Sequence, residues 1–212
     1  MFNHPLHRRD FLYQSLLTGA CALGAGRLAA EEHQLVVLGQ DAFQYRPVAG
    51  WGVLDEKTPV KNCSAMVVDA QGRIYLLTDH LANNVIVYNK DGKLLKKWGT
   101  QFPGAHGLEI VKEDDREVLF ITDLNLHRVF KTTLDGEILM ELTYPQSTGK
   151  YASEKEYRPA WTLHLPNGDF FVLDGYGKDY IIRYNRDGKL LHYFGGPEGG
   201  IAHWGPHGGV ID

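Results

Sequence analysis

Two histidines, His106 and His207, stand 101 residues apart, and Tyr176 follows an Asp-Gly pair between them. An imidazole can ligate a metal or exchange a proton near neutral pH, and a phenol can take or give one. Each also has a plain structural use. A polar residue lining a wet channel accounts for His106, and a ring packed between sheets with its hydroxyl bonded accounts for Tyr176. Three aspartates, Asp79, Asp123 and Asp174, each close a short apolar run. An acid that recurs in one local setting points to one structural task, hydrogen bonding to the next turn, rather than to three catalytic ones.

The elements that must position these residues form a repeat. Around Asp123, His106–Val111, Val118–Ile121, His127–Lys131 and Ile138–Leu142 are four apolar runs, separated by the charged cluster Lys112–Arg116, the turn Asp123-Leu124-Asn125 and the turn Asp135-Gly136. Val118–Ile121 is continuously apolar, which suits a strand buried on both faces. Four antiparallel strands in about forty residues is the size of one propeller blade. The same unit precedes it, with Asp79 and Asp91-Gly92, and follows it, with Asp174 and Asp187-Gly188. The closing aspartates are spaced by 44 and 51 residues and the Asp-Gly turns by 44 and 52, so the two markers drift together.

The expected fold is therefore all-β, a β-propeller with blades at about 62–102, 104–146 and 159–196 within a domain spanning 34–212. Another blade starts at 206, of six in all. All regular structure after residue 34 is expected as antiparallel strand in four-stranded sheets. Leu35–Leu38 reads as an initial strand that could close the ring, and residues 147–158 as an inserted polar loop. Three blades and one strand cannot close a ring, and an open arc leaves sheet faces bare. The chain is accordingly expected to be a fragment of a longer product, with missing blades supplied by another chain as the alternative.

Residues 1–30 read as a targeting segment. Arg8-Arg9-Asp10-Phe11-Leu12 has the twin-arginine export pattern, followed by a weakly apolar, Gly/Ala-rich stretch and small residues before Glu31-Glu32. This predicts export to the periplasm or cell envelope. The net charge is −4, and the leader holds three arginines and one aspartate, which leaves −6 for the remainder. That excess of acid excludes nucleic acid as the main partner. No later apolar run is long enough to span a membrane as a helix. Cys21 falls in the leader, so Cys63 is left without a partner and is expected as a small buried apolar residue.

With blade boundaries set, Asn84–Tyr88 and His127–Phe130, each ahead of an Asp-Gly turn, resemble NHL repeats. Three motifs are most similar to the peptidyl-α-hydroxyglycine α-amidating lyases: Ala105-His106-Gly107-Leu108 with Thr122–Lys131, Leu173-Asp174-Gly175-Tyr176, and Pro206-His207-Gly208. The resemblance implies that His106 and His207 hold a central zinc, with a third histidine supplied by a later blade. It implies that Leu108 and Met66 offer backbone carbonyls to a structural calcium, and that Tyr176 is the catalytic tyrosine. Three imidazoles leave zinc an open position where it lowers the pKa of a bound hydroxyl. The implied ligand is a small peptide-like substrate. A non-catalytic propeller that binds a peptide, protein or glycan is the alternative, and a calcium-dependent lactonase lacks a matching acidic set. Asp79 stands where that family has its catalytic arginine, and an acid there repels a substrate carboxylate.

Overall fold

The computed structural model describes residues 37–200 and 202–211, so the expected export leader lies outside the described residues. Residues 48–212 form one unit, built on twelve strands in three sheets. The first sheet holds β3 (Cys63–Val68), β4 (Ile74–Thr78), β5 (Val85–Tyr88) and β6 (Leu94–Trp98). The second holds β7 (Ala105–Glu113), β8 (Arg116–Asp123), β9 (Arg128–Thr133) and β10 (Ile138–Leu142). The third holds β11 (Trp161–His164), β12 (Phe170–Leu173), β13 (Tyr180–Tyr184) and β14 (Leu190–Gly195). Each is an antiparallel meander in chain order.

Turn chemistry sets the hairpins. At each Asp-Gly pair the glycine takes φ near +80 to +93°, open to glycine at no steric cost. The residue two before each aspartate anchors the loop. Asn89 Oδ1 accepts the amides of Asp91 and Lys93, Asn185 Oδ1 those of Asp187 and Lys189, and Thr133 Oγ1 those of Asp135 and Glu137.

The second strands carry the core. On β8, Leu119 and Ile121 pack with Tyr75, Leu77, Val85 and Val87 of the first sheet. Val118 and Phe120 face the other way, onto Phe170, Val172 and Ile182 of the third. One continuously apolar strand thus cements two sheet–sheet interfaces. The fourth strands β6, β10 and β14 are only partly covered.

His164 sits in the second interface, its ring 4.3 Å from that of Phe120 and 5.6 Å from that of Phe170. Burial, helped by Lys131, pushes its pKa down to about 4. The folded value lies below the unfolded one, so this stabilisation is whole above about pH 6.5 and is lost as pH falls towards 4. It amounts to about 3 kcal/mol over that range. His164→Phe cannot ionise, so urea melts should show it gaining about that much on the wild type between pH 7 and pH 4. Parallel stability profiles for the two proteins would contradict this.

Four expectations need correction. Not every sheet is four-stranded: β1 (Leu38–Gln40) pairs with β2 (Phe43–Tyr45) alone, in a separate unit, and the expected strand Leu35–Leu38 lies partly outside the described residues. The chain reverses at Asp41, which tolerates its φ of 50° as few other residues do. Regular structure is also not all strand, since one-turn 3₁₀ segments occur at Gln146–Thr148, Glu154–Glu156 and Pro197–Gly199. Residues 206–211 carry no strand. Cys63 is exposed, not buried, at the outer end of β3, an edge strand that pairs only with β4.

Candidate functional site

His106, Tyr176 and His207 come together. The ring of Tyr176 lies 5.1 Å from that of His106 and 4.1 Å from that of His207, edge-on to both. The two imidazole centroids are 6.4 Å apart. His106 Nδ1 is 3.0 Å from the Ala160 carbonyl oxygen, and His207 Nδ1 is 2.6 Å from that of Gly205. A carbonyl only accepts, so each Nδ1 carries the proton and each Nε2 presents its lone pair. The Tyr176 hydroxyl donates to His106 Nε2 at 3.2 Å.

Close backbone approaches seat these side chains. The β7–β8 register slips between Ala105 and Leu108, so His106 and Gly107 together oppose Thr122. Such a bulge re-aims the side chain it carries. The Gly107 amide donates to Thr122 Oγ1 at 2.7 Å, and that hydroxyl donates to Ala160 O at 3.0 Å, the oxygen that also holds His106. A Cβ at 107 would fall 2.5 Å from that oxygen, so only glycine fits. Gly175 serves His207 likewise, since a Cβ there would lie 2.2 Å from the Pro206 carbonyl oxygen.

The recurring aspartates hold the frame. Each accepts the amide of the residue leading into its own sheet: Asn62 for Asp79 at 2.9 Å, Gly104 for Asp123 at 3.0 Å, and Arg158 for Asp174 at 2.6 Å. Asp79 also takes the Asn62 side-chain amide at 2.9 Å, so it is committed to the scaffold. Asp174 further accepts the Lys178 amide at 2.7 Å and the Tyr151 hydroxyl at 2.8 Å. It thereby fixes the lead-in at Arg158 and the turn that carries Tyr176. Asp179, at the end of that turn, accepts from the amides of Trp204 and Gly205 and from the His203 ring. It tethers the segment that delivers His207.

Arg158 and Asp179 are not evident from motif reading. Arg158 extends over the Tyr176 ring, its guanidinium carbon 5.7 Å from the centroid. The one available signal is positional: the residue bonded to the closing aspartate is Asn62, Gly104 and then Arg158, so the cation breaks the repeat. Met66 and Leu108 lie on β3 and β7, adjoining innermost strands linked by Ser64 Oγ to Ala105 O at 3.3 Å. Among the described residues no three of His, Cys, Asp and Glu gather as a metal-binding group. His127 is a turn residue with φ 60°, tied by Nδ1 to Tyr157 O at 2.7 Å.

No protein-family model matches the chain. It is similar to peptidyl-alpha-hydroxyglycine alpha-amidating lyase 1 of Drosophila melanogaster, 35% identical over 106 residues, covering 49% of this chain and 19% of that protein. To lyase 2 of the same organism it is 28% identical over 146 residues, covering 65% and 34%. The chain spans about a fifth and about a third of these relatives' lengths. A solved streptogramin B lyase superposes with a TM-score of 0.50 at 15% identity, over 65% of this chain and 41% of that one. The fold is a β-propeller. Its sequence is similar to an amidating lyase over about half its length.

Proposed function

We propose that the chain is part of an exported, zinc-dependent propeller lyase that breaks the C–N bond of a peptide-like α-hydroxyglycine. The observation that carries this is the His106–Tyr176–His207 cluster, with both Nδ1 protons spent on backbone carbonyls. Zinc-ligating histidines characteristically use their second nitrogen in this way. His106 and His207 fit two of three protein ligands; no third joins them among the described residues. When bound, zinc would supply Lewis acidity at a substrate oxygen. Tyr176, once ionised to the phenolate, would take the substrate hydroxyl proton and pass it to the departing nitrogen. Loss of that proton turns the C–O bond into a carbonyl as the C–N bond breaks, and the departing nitrogen is protonated to a primary amide. A structural calcium would bind the carbonyls of Leu108 and Met66.

One observation favours a second reading, a propeller that binds peptide-like ligands without turnover. Asp79 occupies the place of the family's catalytic arginine and is spent on Asn62. Metal analysis tests the zinc reading. His106→Ala and His207→Ala should each lose stoichiometric zinc while keeping the β-strand circular dichroism of the parent. Stoichiometric zinc retained in both variants would leave the binding reading alone.

A further inference from the structure

We propose that Arg158 is the anchor for a carboxylate on the ligand of the His106–Tyr176–His207 cluster. This deepens the function proposed above, because it names the charged end of the ligand and the residue that selects it. The guanidinium stands 5.7 Å from the Tyr176 ring centroid, and that ring touches both imidazoles. Arg158 is held at its backbone: its amide donates to Asp174 Oδ1 at 2.6 Å and its carbonyl accepts the Tyr176 amide at 3.3 Å. Its neighbours Tyr157 and Pro159 are buried. The side chain, by contrast, has no hydrogen-bond or ion-pair partner among the described residues, and it is half-buried rather than fully solvated.

The nearby cations contrast with it. Lys178 pairs with Glu156 at 2.7 Å and also donates to Lys150 O, and Lys150 pairs with Glu198 at 2.6 Å. Arg158 is left without an acid although the chain carries a net charge of −4. Five donors in a planar fork match a carboxylate in two parallel hydrogen bonds. Asp79 cannot do this, being an acid and already bonded to Asn62. Arg158, at the lead-in of the third sheet and beside the tyrosine itself, can.

The probes are N-acetylglycine and its amide, N-acetylglycinamide, alike except for the charge. They are titrated into the ¹⁵N-labelled full chain, with and without zinc, while the imidazole signals of His106 and His207 are followed. The acid should bind about tenfold more tightly than the amide, as one charge-assisted contact gives. Arg158→Gln should bring that ratio close to one, and Arg158→Lys should keep part of it, with unchanged thermal midpoints. A purely structural cation over the tyrosine would not change an acid-to-amide ratio. The proposal is overturned if the ratio survives Arg158→Gln, if acid and amide bind the wild type alike, or if neither binds. A ratio that persists in the absence of zinc, alongside wild-type protein that takes up no metal, supports Arg158 while sinking the zinc reading, so the two can fail separately.

Discussion

Asp174→Ala is expected to lower stability by on the order of 4 kcal/mol. The carboxylate is fully buried and takes three donors, the amides of Arg158 and Lys178 and the Tyr151 hydroxyl. Removal leaves all three without an acceptor, and each buried orphan costs roughly 1–3 kcal/mol. Asp174→Asn keeps the shape, but one of its two ends must then offer N–H where N–H already points. It should fall between alanine and wild type, at about 2 kcal/mol. Denaturant melts of the three proteins give the order.

The same residue predicts a pH effect of opposite sign to that of His164. Burial pushes the Asp174 carboxyl up to about 6, with the nearby Asp179 adding to the rise, against the pull of its three donors. A folded value above the unfolded one favours the native state when the group is protonated. That contribution is whole below about pH 3.8 and is lost as pH rises through 6. The wild type should therefore gain about 2 kcal/mol on Asp174→Asn between pH 7 and pH 4. A gap that stays flat or narrows over that range would show the carboxyl to be held ionised.

Gly175→Ala is expected to dislodge His207 while sparing the sheets. The new methyl group would meet the Pro206 carbonyl oxygen at 2.2 Å and its carbon at 2.7 Å. Both are backbone atoms and cannot rotate away, so residues 206–207 must shift. Residues 203–205 stay on Asp179, which confines the movement to the next step of the chain. Overpacking of this kind costs about 1–3 kcal/mol. The ring-current shift that Tyr176 imposes on the His207 imidazole protons, from a ring 4.1 Å away, should disappear. If zinc binds as proposed, its affinity should fall by about 10- to 100-fold as well. Gly199→Ala is the control, since nothing lies within 4 Å of a Cβ there. Unchanged His207 shifts in Gly175→Ala would mean that the segment is seated by other contacts.

Much of the scaffold is legible from local pattern alone. Val118–Ile121 is continuously apolar, and such a run is stable as a strand only if both faces are buried; Leu119 and Ile121 do face one sheet and Val118 and Phe120 the other. The Asp-Gly pairs fix hairpins because glycine alone takes their positive φ freely, and the asparagine or threonine two residues earlier is close enough in sequence to cap them. The recurring aspartates could be assigned a structural task by repetition, but not their partners, which lie 16 to 19 residues upstream.

What tertiary structure decided are the matters that depend on approach between distant segments. Whether Cys63 is covered depends on which strand sits beside β3, and its own run of residues is silent on that. The seat of His106 is the carbonyl of Ala160, 54 residues away on the neighbouring sheet, reached because a bulge and a missing side chain at Gly107 allow it. Arg158 gains meaning only once the turn after β12 folds Tyr176 beneath it. Sequence sets periods and turns because those are interactions across a few residues; the charge and proton arrangement of the cluster arises from contacts that close only when whole sheets have packed.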